Sequence, residues 1–116
     1  MSNTSQSHYP ALDLVDSEEK IAEYQRLHEK IWSEVAAHLR EHGILNMEIH
    51  RLGTRLFMVM EVSPHFDAAA FALASEQNAI IQRWENLMWQ FQRPTPWTPA
   101  GEKWVAMERI VSLQQQ

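Results

Sequence analysis

The sequence predicts a small α+β domain, with strands and helices in the order β-α-β-β-α-β. All strands belong to one antiparallel sheet, and both helices pack on the same face of it. Three observations lead there. Residues 17–42 place Ile21, Tyr24, Ile31, Trp32, Val35 and Leu39 on one side of a helix, opposite a charged side. The segments ILNMEIHRL and RLFMVMEV flank Gly53-Thr54, the signature of a hairpin with glycine first in a type II′ turn. A second helical stripe follows, made by Ile80, Trp84, Leu87, Met88 and Phe91. Strand, helix, hairpin, helix and strand make the ferredoxin-like plan, a four-stranded sheet that leaves one face open.

Residues 1–8 are polar and are expected to be disordered ahead of a single domain over 9–113, with 114–116 as a loose tail. YPALDLV, residues 9–15, is the first strand, with Pro10 at its beginning or edge because proline donates no hydrogen bond. Asp16 or Ser17 caps the first helix, and Glu18 and Glu19 suit its positive end. That helix is expected to run unbroken to about His42, where Gly43 ends it. In the next strand Leu45, Met47 and Ile49 share a face, with Asn46, Glu48 and His50 on the other. The strand after it is apolar on both faces, through Leu56, Met58, Met60 and Val62 on one and Phe57 and Val59 on the other. Helices can cover only one of these faces, so the second is open or covered by a partner, and a dimer formed through the open sheet face fits. Ser63-Pro64 ends the hairpin, residues 66–74 read as helix, and Ser75 is placed to cap a second helical segment. Trp89 faces away from the apolar stripe, which points to a partner or a loop packed over it. RPTPWTPAGE is a loop, and residues 103–113 form the final strand.

Composition narrows the function. The 116 residues carry a net charge of −5, with no basic run, which argues against a nucleic-acid surface. Cysteine is absent, so disulfides, thiolate metal sites and a cysteine nucleophile are excluded. The N-terminus lacks an apolar signal core and no stretch reaches transmembrane length, so a soluble cytoplasmic protein with no membrane partner is expected. There is no phosphate-binding glycine loop and no serine nucleophile elbow.

Candidate chemistry centres on His28, which interrupts the apolar stripe, one turn after Tyr24 and one turn before Trp32. It is either a core histidine satisfied by backbone or hydroxyl groups, or a general acid/base lining a pocket between helix and sheet. Tyr24 is either a hydrogen-bond donor in that pocket or a core residue with a polar tip. Glu48 and His50 are solvated unless Leu52 faces inward, in which case they do too. His38, His42 and His65 look peripheral; His38 and His42 have the spacing of a helical metal pair but no HExxH context, so no metal site is expected. Of Trp32, Trp84, Trp89, Trp97 and Trp104 most belong to the core, with Trp97 in its proline-rich loop the exception. Indoles also serve as platforms for the apolar faces of sugars.

EYQRLHEKIWSEV, with Tyr24-x-x-x-His28-x-x-x-Trp32, followed by HGILNMEI, LFMVMEV and QRWENLM, resembles the L-rhamnose mutarotase family from about Leu12 to Ile110. The order of the motifs makes the resemblance specific. It implies a homodimeric ferredoxin-like α+β barrel with no cofactor and a pocket between helices and sheet. It implies that His28 is the acid/base histidine and that Tyr24 and Trp84 contact the sugar. Two departures bear on the substrate: Met47 stands where rhamnose-type members carry tyrosine, and Glu85 where they carry a second tryptophan. Both positions belong to the sugar site. Together with LMWQFQRP and GEKWVAMER, they resemble the branch acting on L-fucose, which is favoured over L-rhamnose. The expected reaction exchanges α and β anomers by ring opening, with His28 as acid at the ring oxygen and Tyr24, Glu85, His50 or a water as base at O1. Two other readings remain: a cofactor-free monooxygenase-like protein of the same fold acting on a flat aromatic substrate, and a non-catalytic ligand-binding module.

Overall fold

The computed structural model describes residues 5–116. The sheet is antiparallel throughout and is built on β4 (Arg55–Val62). On one side β4 pairs with β3 (Ile44–Leu52) across the hairpin, from Leu52↔Arg55 to Ile44↔Val62. On the other it pairs first with β1 (Gln6–His8) and then with β2 (Pro10–Leu14). The far edge of β2 carries β5 (Gln92–Arg93) and β6 (Val105–Ala106). β1 and β2 are one lane interrupted at Tyr9, and β5 and β6 are one lane split by the proline-rich loop. The sheet thus has the four lanes of the ferredoxin-like plan, in the expected order.

Local chemistry sets the boundaries. Ser17 Oγ accepts from the Lys20 amide and starts α1 (Glu18–Glu29). Gly43 has φ +89, and a Cβ there would lie 2.7 Å from Ser63 Oγ, so the chain leaves α2 (Ser33–Glu41) through a residue that must be glycine. Gly53 has φ +59, as the first position of a type II′ turn requires, and among the described residues only glycines have positive φ.

Four expectations are corrected. The first helix is not continuous: Lys30 is extended and residues 30–32 separate α1 from α2. An unbroken helix over 17–42 would be ~39 Å long, whereas an eight-residue strand spans ~27 Å, so the break keeps both halves on the sheet. The second helical region also divides, into α3 (Ala68–Glu76) and α4 (Ala79–Met88), but the cap is Asn78 and Ser75 lies inside α3. Residues 103–113 hold only the two-residue β6, and a 3₁₀ turn spans Leu113–Gln115. Met107 N still donates to the Tyr9 carbonyl at 3.0 Å, but residues 107–112 form no strand beyond β6. Of the residues expected to be disordered, 1–4 lie outside the described part, and Gln6–His8 form a strand against Met60, Glu61 and Val62.

The helices cover the face bearing Leu12, Leu14, Leu56 and Met58. The core joins Leu14 and Leu56 to Tyr24, Val35, Ile81, Trp84, Met88 and Phe91. Leu12 and Leu56 are sealed from water, each burial being worth ~1.5–3 kcal/mol. The opposite face carries Phe57, Val59, Glu48, His50 and Leu52, away from the core that α1, α2 and α4 form on the sheet. No helix among the described residues is long and apolar enough to span a membrane.

Candidate active site

The two halves of the helical layer do not close completely on the sheet. Between them lies a cavity of about 380 Å³, a volume ordinary for a small-molecule site, typically ~300–1,000 Å³. Tyr24 and His28 of α1, Met47 of β3, and Trp84 and Glu85 of α4 all line it. The structure therefore gathers the five residues singled out by sequence around one space. A second cavity of about 530 Å³ adjoins it between α1 and β3, sharing Tyr24, His28, Met47 and Ile49, with Glu29 and Arg51 at its wall. Tyr24 and His28 stand where the two spaces meet.

The α1 register builds the polar corner. His28 follows Tyr24 by one turn, and its Nδ1 lies 2.7 Å from the Tyr24 carbonyl oxygen. A carbonyl only accepts, so Nδ1 carries the proton, and in the neutral ring Nε2 keeps a free lone pair. Ring packing holds this orientation: His28 lies 4.2 Å from the Tyr24 ring and meets Trp84 edge-on at 5.5 Å. Trp84 in turn receives Trp32 edge-on at 5.1 Å. Burial pushes the His28 pKa below its usual value against the opposing backbone hydrogen bond, so the ring is neutral at pH 7.

Tyr24 is 3 % exposed, and its hydroxyl oxygen accepts from Gln92 Nε2 at 2.9 Å. Its pKa is pushed up to about 12 by burial, with the Glu85 carboxylate adding to the rise. The phenol stays protonated and is free to donate. Glu85 enters from α4, and its Oε2 accepts from Lys103 Nζ at 2.6 Å. Much of the remaining wall is apolar, with Ile49, Met58, Met60 and Ile81 facing the same space, and His38, Ser75 and Gln92 add polar groups to it.

Other candidates fall elsewhere. His50 and Glu48 bond each other at 3.0 Å on the open sheet face, with Leu52 76 % exposed beside them, so His50 is not available as a base in the cavity. Trp97 packs over Arg55, which pairs with Asp13 on that same outer face, so this indole is no platform for a ligand in the cavity. His38 is buried rather than peripheral: Nε2 donates to Ser75 Oγ at 2.9 Å, because the serine proton goes to the Phe71 carbonyl. His42 Nδ1 donates to the His38 carbonyl. Both imidazoles are engaged in packing the α2–α3 contact, and His38 reaches the cavity wall.

Sequence reasoning missed Gln92 and Lys103. Gln92 falls between the stripe that ends at Phe91 and the proline-rich loop, and no periodicity distinguishes the two-residue strand that turns it inward. Lys103 carried a faint signal, since Trp89 pointed away from its helix stripe and Lys103 is the loop residue that covers it.

Comparison with known proteins gives a consistent picture. Residues 10–113 match the family model described as L-rhamnose mutarotase. An L-fucose mutarotase of Xanthomonas campestris pv. campestris is 43 % identical over 106 residues, covering 90 % of this chain and 85 % of that protein. A UPF0734 protein of Dictyostelium discoideum is 38 % identical over 111 residues, covering 92 % of this chain and 89 % of its own length. The crystal structure of an L-rhamnose mutarotase from Formosa agariphila superposes with a TM-score of 0.68 at 18 % identity, covering 93 % of this chain and 98 % of that one. This last likeness establishes the fold.

Proposed function

The chain belongs to the L-rhamnose mutarotase family, and on that premise we propose that it interconverts the α and β anomers of a 6-deoxy-L-hexose, L-fucose in preference to L-rhamnose. The observation that carries the reading is the pairing on α1 of a neutral imidazole with a free Nε2 and a protonated phenol, one turn apart at a cavity wall. Mutarotation needs one group to take the O1 proton and another to give a proton to O5.

The tautomer supports a division of roles different from the sequence-based expectation. In this reading neutral His28, with its proton on Nδ1, acts through Nε2 as the base at O1. Tyr24, held protonated and accepting from Gln92, turns its own hydrogen toward O5. As the O1 proton moves to His28, C1=O1 forms, the C1–O5 bond breaks, and O5 takes the proton of Tyr24. The aldehyde turns about C1–C2. Closure on the other face of C1 returns one proton to O1 from His28 and the other from O5 to Tyr24. Every proton is returned and no oxidation state changes, so the reaction needs no redox partner.

The cavity also supports the substrate class. A 6-deoxy sugar presents a methyl group where other hexoses carry a hydroxymethyl, and the Met47, Ile49, Met58 and Met60 wall would accept it without leaving a hydroxyl unpaired. Trp84 would offer an indole to the ring C–H groups. Preference for L-fucose is supported by the 43 % identical relative and by Met47 and Glu85. A cytoplasmic homodimer, joined through the open sheet face, completes the proposal. Saturation-transfer NMR on equilibrated α and β L-fucose tests it. The wild-type protein should accelerate exchange, and His28→Ala should lower the acceleration by ~10²–10⁴-fold. Exchange by His28→Ala at the wild-type rate would remove His28 from the mechanism.

A further inference from the structure

Lys103 lies in the loop between β5 and β6. Its side chain is 13 % exposed, less than the 43 % of the glutamate it pairs with. An ammonium that has lost most of its water needs compensation. Two groups supply it: Nζ donates to Glu85 Oε2 at 2.6 Å and lies 4.6 Å from the centre of the Trp89 ring. Glu85 and Trp89 are one turn apart at the end of α4, so they share a face, and Lys103 is clamped across it. Glu85 lines the cavity, and so does Trp104, the residue that follows Lys103. Among the described residues, Glu85 Oε1 accepts no hydrogen bond.

We propose that Lys103 is a positioning residue for sugar selectivity, fixing the Glu85 carboxylate so that Oε1 accepts a hydrogen bond from a ring hydroxyl of the substrate. This rests on the mutarotase reading. L-Fucose and L-rhamnose share configuration at C3 and C5 and differ at C2 and C4. A preplaced carboxylate discriminates between them because the wrong epimer strips water from Oε1 without replacing it. A freely rotating glutamate would turn away and discriminate less.

The test compares anomer exchange on both sugars for the wild type, Lys103→Met, Lys103→Arg, Glu85→Gln and the double variant Glu85→Gln/Lys103→Met. The wild type should favour L-fucose. Lys103→Met should lower the fucose-to-rhamnose ratio of kcat/KM by about tenfold, chiefly through the KM for L-fucose. Lys103→Arg should keep the ratio, and adding Lys103→Met to Glu85→Gln should lower it no further. A wild-type ratio in Lys103→Met overturns the inference, as does an equal loss on both sugars, which is what a merely structural staple would give. A wild-type preference for L-rhamnose overturns it too. Wild-type protein inactive on both sugars overturns the mutarotase reading and this inference with it, whereas active wild type with an unmoved ratio overturns the inference alone. Circular dichroism checks folding. Should Lys103→Met fail to fold, Lys103→Arg carries the test: it must retain the ratio that Glu85→Gln loses.

Discussion

Burial acts on Tyr24 and His28 in opposite senses, because it disfavours the charged form of each. The phenol moves up to about 12 and the imidazole moves below its usual 6.5. Between those values both are neutral, one holding a proton and the other lacking one. The base at O1 must be unprotonated, so kcat/KM should be level through neutral pH and fall on the acid side, with its limb below 6.5. A limb above that value would mean that His28 is charged at rest, which the burial does not allow. Stability has the same sign at this residue: below pH 6.5 the unfolded chain takes up the proton before the folded one does, so folding weakens as pH falls. At Tyr24 the sign reverses. The unfolded phenol ionises near 10 and the folded one near 12, so stability is complete below 10 and is lost as pH rises through 12. An absorbance titration should show a phenolate step near 12 that is missing in Tyr24→Phe. That variant also leaves Gln92 Nε2 buried without its acceptor, at a cost of ~1–3 kcal/mol in urea unfolding. At this scale the sequence pointed to residues that the structure gathers at one cavity, since a histidine inside an apolar stripe is conspicuous. It did not disclose the tautomer of the histidine, which depends on which atom of α1 Nδ1 meets.

Elements place these groups, and their ends decide how well. α4 carries both Trp84 and Glu85 and begins at Asn78, whose Oδ1 accepts from the amides of Ile80 and Ile81 at 3.0 and 3.2 Å. Asn78→Ala should cost ~1 kcal/mol, read as a lower urea midpoint, while Asn78→Asp, which keeps the acceptor, should cost a fraction of that. Equal losses for the two would show that the cap contributes nothing. The periodic stripes of α1 and α4 and the alternation of β3 and β4 were legible, because each repeats one spacing over several turns or pleats. The interruption at residues 30–32 was not, because it follows the length of a sheet made by other segments, whereas the second break was expected but placed at Ser75 rather than at Asn78. The last strand was overread: Ile110 and Val111 have β-forming side chains, but pairing stops after Val105–Ala106 and the segment beyond it stays exposed.

For the whole molecule, these unpaired residues and the open sheet face raise one question, what covers them. Ile110 is 90 % exposed, Val111 68 % and Leu113 86 %. Across the sheet Leu52 is 76 % exposed and Val59 36 %, beside the half-buried Phe57. Apolar surface of this extent on a chain of 13.6 kDa is costly to leave in water. A second copy applied to the open face would bury it from both sides, and β4, apolar on both faces, would then be covered on both. The expected solution species therefore sediments at twice the 13.6 kDa chain mass. Val59→Lys places a charge at the centre of that face without touching the cavity, whose wall is made by the alternate residues Met58 and Met60. It should shift the species toward the single chain in a concentration-dependent way. A Val59→Lys protein that stays at the wild-type mass would exclude the sheet face as the interface, and a wild type of 13.6 kDa at high concentration would exclude the dimer. If the cavity is complete in one chain, dissociated Val59→Lys retains anomer exchange. A coincident loss of exchange and of dimer would show instead that the second copy closes the site.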